Sequence, residues 1–261
     1  MLFHEFLQHV RSPSTLQLPD NWMQGRTVFG GISAAAMLEA LLKEVPEGRM
    51  PRTLTISFVG PLVPGPVEVR TEVYRSGKHV TQAQAWLSQN GEVQGTLLAS
   101  FGSGRESMLN IGNGPMPVVA EPGTAMQLPN VPGITPQFTE HFEYRWLSPY
   151  FPMSGQGDGV LTGWMRFREP ESELGFSHLL AMLDAWPVAC FSCFTKPAPF
   201  SSLSWTLEFL GEVPAESGND YWLFEDVTDH AVEGYAQTRA RLWSPSGKLV
   251  ALSRQTVSIF G

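Results

Sequence analysis

At 261 residues, with 43% hydrophobic and 16% charged residues, the chain can bury a substantial core without a disulfide staple. Its formal net charge of −8 and the lack of any basic stripe exclude general nucleic-acid binding, which depends on lysine and arginine neutralising phosphates. No apolar run reaches the roughly 20 residues of a membrane span, Met1–Val10 lacks a secretory pattern, and only Cys190 and Cys193 could be oxidised, so a cytoplasmic address without membrane contact is expected.

Residues 31–42 carry apolar side chains around almost the whole helical circumference, which predicts a helix buried inside the molecule. After Pro46, Gly48 and Pro51 the period changes to two. Leu54, Ile56 and Phe58 share one face and Thr53, Thr55 and Ser57 the other; Val67 to Tyr74 alternates in the same way. Val80 to Ser88 and Glu92 to Phe101 flank Asn90-Gly91, a pair that tolerates the positive φ of a tight hairpin. Gly102 to about Gln137 is rich in glycine and proline and reads as a connector. Strands follow at 142–146 and 160–168, then a helix from about Gly175 to Ala189 that Pro187 should kink or end early. The remaining strands are expected at 203–209, 221–227, 235–243 and 249–259.

The two halves are similar. Ala36-Met37-Leu38-Glu39-Ala40 recurs as Ala181-Met182-Leu183-Asp184-Ala185, Ser57-Phe58-Val59-Gly60 loosely as Glu208-Phe209-Leu210-Gly211, and the turn Asn90-Gly91 as Ser246-Gly247, at offsets of 145, 151 and 156. Matches that keep their order while the offset grows are what loop insertions in a second copy would leave, one of them near Asp220. The organisation predicted is an α+β tandem: 1–105, a connector 106–138, and 139–261. In each copy a curved antiparallel sheet wraps its apolar helix, and the copies lie side by side to protect sheet edges.

Each helix carries one acid at the matching place. Glu39 has Lys43 four residues on, which predicts a surface ion pair at a solvated helix edge. Asp184 has Leu180, Ala181, Pro187 and Val188 at its helical neighbour positions, so its own helix offers no cation. It is therefore either an acid facing solvent or a loop, or a desolvated carboxylate with the raised pKa of a general base. Cys190 and Cys193 lie among apolar residues and read as buried thiols. Gly155, Gly157 and Gly159 read as a turn, and the scattered histidines show no metal-ligand spacing, so neither metal nor cofactor is expected.

Gly25-Arg26-Thr27-Val28-Phe29-Gly30-Gly31 resembles the GR-x-VFGG entry of the acyl-CoA thioesterase II-like double-hotdog family. Arg75-Ser76-Gly77-Lys78, Ala99-Ser100-Phe101, Trp164-Met165-Arg166, Leu179 to Asp184 and Val250 to Gln255 extend the resemblance over nearly the whole chain. It implies a double hotdog acting on acyl-CoA or acyl-pantetheine, associated as a homodimer or higher homo-oligomer. It also implies a water-activating triad, which falls by position on Asp184, Ser202 and Gln255. The family's Asp-His pair after the hydroxyl is replaced by Ser204-Trp205, so Ser204 is a substitute candidate for the hydroxyl. Backbone amides at Gly175, Phe176 and Ser177 are candidate oxyanion donors, and Trp186 and Trp205 candidate walls of an acyl slot or core residues. A non-catalytic acyl-group binding module is the alternative; an enoyl-thioester hydratase would need an acid and histidine pair, for which no motif is present.

Overall fold

The computed structural model describes residues 1–12, 15–112, 114–171, 173–215 and 219–260. The first half runs α1 (Phe3–Arg11), β1 (Leu16–Leu18), a small ribbon of β2 (Met23–Gln24) and β3 (Thr27–Val28), and α2 (Gly30–Leu42). It continues with β4 (Met50–Phe58), β5 (Gly65–Ser76), β6 (Val80–Gln89) and β7 (Glu92–Gly102). After β8 (Met126–Gln127) and a 3-10 turn (Gln137–His141), the second half has β9 (Phe142–Trp146), β10 (Val160–Phe167) and α3 (Phe176–Asp184). A 3-10 turn (Ala189–Cys193) then leads into β11 (Phe200–Phe209), β12 (Trp222–Val232), β13 (Tyr235–Trp243) and β14 (Leu249–Ile259).

The strands form one antiparallel sheet in the order β1-β5-β6-β7-β4-β11-β14-β13-β12-β10-β9-β8. Each half therefore presents the first strand after its helix to the other half, and β4 and β11 join edge to edge. In this seam Ser57 lies opposite Ser204, Leu54 opposite Leu207 and Thr53 opposite Glu208. Applying the repeat offset of 151 turns Ser57 into Glu208 and Ser204 into Thr53, so the seam maps onto itself. The copies are thus related by a local twofold axis, and neither leaves a long open edge at the join.

The helices lie against the concave face, antiparallel to one another. Ile32, Ala34, Ala35, Ala36, Met37, Leu38 and Leu41 of α2 and Leu179 to Leu183 of α3 are buried with Leu54, Ile56, Leu97, Leu207 and Val250 of the strands. A Cβ on Gly31 would stand 3.0 Å from Ala181 Cα, so the bare glycine is what lets the helix backbones approach. Helix α1 buries Phe3, Phe6, Leu7 and Val10, a stripe at helical spacing.

Helix α3 is shorter than the predicted 175–189. It ends at Asp184 because Pro187 has no N–H for the Leu183 carbonyl, and the chain resumes as a 3-10 turn. The apolar stretch Phe176–Cys193 is 72% buried. Within the turn Cys190 is buried as expected, whereas Cys193, where the turn ends, is exposed and donates its thiol to the Gly157 carbonyl at 3.1 Å. The connector holds the short β8, and it packs: Met116 and Val119 cover Trp164, Leu223, Trp243 and Leu249 on the outer face, and Trp164 Nε1 donates to the Ala120 carbonyl at 2.8 Å. The insertion expected near Asp220 is present, since 12 residues join β11 to β12 where six join β4 to β5.

Trp205, 1% exposed, lies opposite Ile56 of β4 and Gln255 of β14, with its indole N–H on Ser253 Oγ at 2.8 Å. Trp205→Ala should therefore cost about 3–5 kcal/mol. The check is the urea midpoint of unfolding; a loss below about 1 kcal/mol would show that the seam region collapses onto the void.

Candidate functional site

Three side chains from three separate elements converge at the end of α3. Gln255 Nε2 donates to Ser202 Oγ at 2.8 Å and to Asp184 Oδ1 at 3.3 Å. Asp184, only partly exposed, is pushed up to about 6 by burial, against the opposing pull of the Gln255 amide and the facing Gly31 N–H. The first turn of α2 lies directly on the carboxylate. A Cβ on Gly30 would stand 2.6 Å from Asp184 Oδ2 and 3.2 Å from the Phe58 ring, so the helix N-terminus reaches the acid only because that position is glycine. The partial positive charge of that helix end favours the ionised carboxylate or another anion placed there.

Ser202 reaches the site through a β-bulge. Along β11–β14 the partners are Trp205 with Gln255, Ser204 with Thr256, and then Ser202 with Val257, leaving Leu203 without a partner. The extra residue reverses the alternation of the strand, so that Ser202 shares the concave face with Trp205 and Gln255. In a regular strand Leu203 would take that place. Ser204, opposite Thr256, is on the other face and cannot replace Ser202.

Of the remaining sequence candidates, Trp205 shares the site's face across the ladder from Gln255, whereas the start of α3 lies elsewhere. Gly175, Phe176 and Ser177 start α3, about 12 Å along the axis from Asp184 at its end. The amides near the acid are instead those of Gly30 and Gly31 in α2. Trp186 and Trp205 are core residues, at 6% and 1% exposure. Trp186 Nε1 is held by Met165 Sδ at 2.7 Å and its ring stacks on Phe224 at 5.3 Å. Two contributors escaped the sequence reading: the α2 N-terminus, whose only local sign is Gly30-Gly31, and Asp226. Asp226 is buried, pushed up to about 7 by desolvation, and accepts the Ala189 N–H at 2.8 Å. It thereby pins the 3-10 turn that follows Asp184.

Two family models match the chain: the acyl-CoA thioesterase N-terminal domain over residues 18–102 and the acyl-CoA thioesterase C-terminal domain over residues 118–259. The chain belongs to the acyl-CoA thioesterase family. Its fold is similar to that of a conserved hot dog protein of unknown function from Alicyclobacillus acidocaldarius, with a TM-score of 0.88, 23% identity, and coverage of 100% of this chain and 99% of the other. The acyl-CoA thioesterase II TesB2 from Mycobacterium marinum aligns with a TM-score of 0.73 and 19% identity over 89% of both chains. The tesB protein of Mycobacterium avium subs paratuberculosis gives 0.76 and 14% over 99% of both. Against curated protein sequences the chain has no match.

In this member of the acyl-CoA thioesterase family the twofold axis gives the triad a counterpart in the first half. There β4 carries the same bulge against β7, with Pro51 opposite Phe101, Thr53 opposite Ser100 and Leu54 opposite Ala99. Pro51 thus stands where Ser202 stands and Ala99 where Gln255 stands, so neither hydroxyl nor amide is available. Glu39, in the place of Asp184, does not form the predicted surface pair with Lys43, which instead donates to the Val10 carbonyl at 2.8 Å. Glu39 is 5% exposed, gripped by Arg11 of α1 at 2.8 and 3.1 Å, and accepts Ser177 Oγ from the start of α3 at 2.7 Å. Both of its oxygens are committed to structure.

Two outcomes follow from these two acids. Glu39→Ala strands Arg11 and Ser177 and should cost about 2–3 kcal/mol in urea unfolding, less than a fully buried pair because the Arg11 side chain is 56% exposed. Asp184 behaves oppositely. Its folded pKa of about 6 lies above the unfolded value near 3.8, so its effect is absent below pH 3.8 and destabilises increasingly as pH rises through 6. Asp184→Asn should therefore melt above the parent protein at pH 8, and the gap should shrink at pH 4; a gap independent of pH would refute the raised pKa.

Proposed function

We propose that the chain hydrolyses acyl-CoA or a related acyl-pantetheine thioester at Asp184, Ser202 and Gln255. The observation that carries this reading is the Gln255 amide bridging the Asp184 carboxylate and the Ser202 hydroxyl. A carboxylate with a pKa of about 6 is ionised at neutral pH yet basic enough to take a proton from water. Ser202 and Gln255 hold that water beside it. The water oxygen attacks the thioester carbonyl while Asp184 accepts a proton. The resulting oxyanion develops at the first turn of α2, where the Gly30 amide and the helix dipole offset its charge while the Gly31 N–H stays on Asp184. The tetrahedral centre then collapses, the C–S bond breaks, and the thiolate recovers the proton from Asp184. One water and one thioester become one carboxylic acid and one thiol.

The assay is thiol release from a panel of acyl-CoA chain lengths. Asp184→Asn should lower kcat by about 10²–10⁴-fold, with Gln255→Ala and Ser202→Ala intermediate. For the parent enzyme kcat/KM should rise with pH through an inflection near 6, following ionisation of Asp184. Equal rates in the parent and Asp184→Asn would sink the assignment. Tight acyl-CoA binding without turnover would instead favour a non-catalytic acyl-group binding module.

A further inference from the structure

The twofold counterpart of the triad's mouth is an open cleft of about 380 Å³, lined by Gly48, Arg49, Met50, Arg52, Phe176 and Glu212, among others. That size falls within the range of small-molecule sites, roughly 300–1,000 Å³. Its chemistry differs from that of the triad. Arg49 is caged by the β5–β6 turn, donating to Ser76 Oγ at 3.1 Å, to the Gly77 and Lys78 carbonyls at 2.5 and 3.1 Å, and to Thr81 Oγ1. All four acceptors are neutral, so its charge is fixed in place without being cancelled. Arg52, the bulge residue where the second half has Leu203, spends among the described residues only its Nε, on the Gly102 carbonyl at 3.2 Å. Its terminal nitrogens keep the fork that matches a phosphate. The ion pairs among the described residues engage Arg11, Arg145, Arg166, Arg239 and Arg254, but neither Arg49 nor Arg52. In a chain of net charge −8, a lining with two arginines and, among the described residues, one carboxylate, Glu212, is a local reversal of sign.

We infer that this cleft binds the phosphate of a nucleotide, with Arg52 as the bidentate contact, Arg49 as a preset charge and Phe176 as an aromatic wall. The half that lost the hydroxyl and amide of the triad thus serves as an anion site. It lies toward the far end of α2 from the triad, about 20 Å along that helix. The phosphate comes either from the nucleotide end of the acyl-CoA substrate or from a separate nucleotide; the former source rests on the function proposed above.

Titration calorimetry of the full chain with adenosine 3′,5′-bisphosphate tests the site without any turnover. Binding should weaken about tenfold or more in Arg52→Gln and strengthen in Glu212→Gln. No binding by the parent protein, or equal binding by the parent and Arg52→Gln, overturns the inference. Because binding is read directly, an inactive hydrolase would not be mistaken for an empty cleft. The source is settled by kinetics. If Arg52→Gln raises KM about tenfold for acyl-CoA but not for the matching acyl-pantetheine, the site holds the substrate's own nucleotide. An unchanged KM for both, with weakened nucleotide binding, assigns it to a separate molecule.

Discussion

The antiparallel contact of α2 and α3, made possible by bare backbone at Gly31 against Ala181, is the constraint from which the rest follows. It brings the start of each helix to an acid on the other. The first turn of α2 meets Asp184, and Ser177 at the first turn of α3 meets Glu39. Helix starts carry unpaired N–H groups and a partial positive charge, so two carboxylates are held inside a largely apolar core without cations from their own helices. A bulkier residue at position 31 would separate the helices, and with them both acids from their partners.

From this near-symmetric frame the two halves diverge through a few side chains. The same bulge occurs in β4 and β11, and in both it turns one residue onto the concave face. In the second half that residue is Ser202, with Gln255 across the ladder; in the first it is Pro51, with Ala99. Proline has neither hydroxyl nor N–H, and alanine has no polar atom, so a water there would have no side chain to orient it. Glu39 is correspondingly retired into an ion pair with α1, while Asp184 keeps a pKa that costs stability at neutral pH.

The six extra residues that raise the repeat offset from 145 to 151 also have a physical role. They lie between α3 and β11, where the chain forms the 3-10 turn Ala189–Cys193 and packs Phe191 and Phe194 beside Phe200. Asp226 fixes the first N–H of that turn. The concave face next to Ser202 is therefore roofed by local chain, whereas the corresponding region of the first half is the open cleft beside Arg49 and Arg52.

The duplicated architecture is legible in the residues alone, because buried helices and half-wet strands impose periods of 3.6 and two; β9, β13 and β14 coincide with the expected spans. Helix α1 is equally legible in the stripe Phe3, Phe6, Leu7 and Val10. Asp184 stood out because its own helix gave it no partner, and its assembly with Ser202 and Gln255 matched the family resemblance. Glu39 misled for the mirror reason: Lys43 offered a local partner, yet Arg11 and Ser177, 28 and 138 residues away, are the ones it uses. It took the folded contacts to place Ser202 rather than Ser204 on the face of Asp184 and Gln255, to bring the amides of α2 rather than α3 to the acid, and to bury Trp186 and Trp205. Each depends on strand register or on contacts between distant segments. A bulge of one residue reverses every side chain beyond it without leaving a mark in the local pattern.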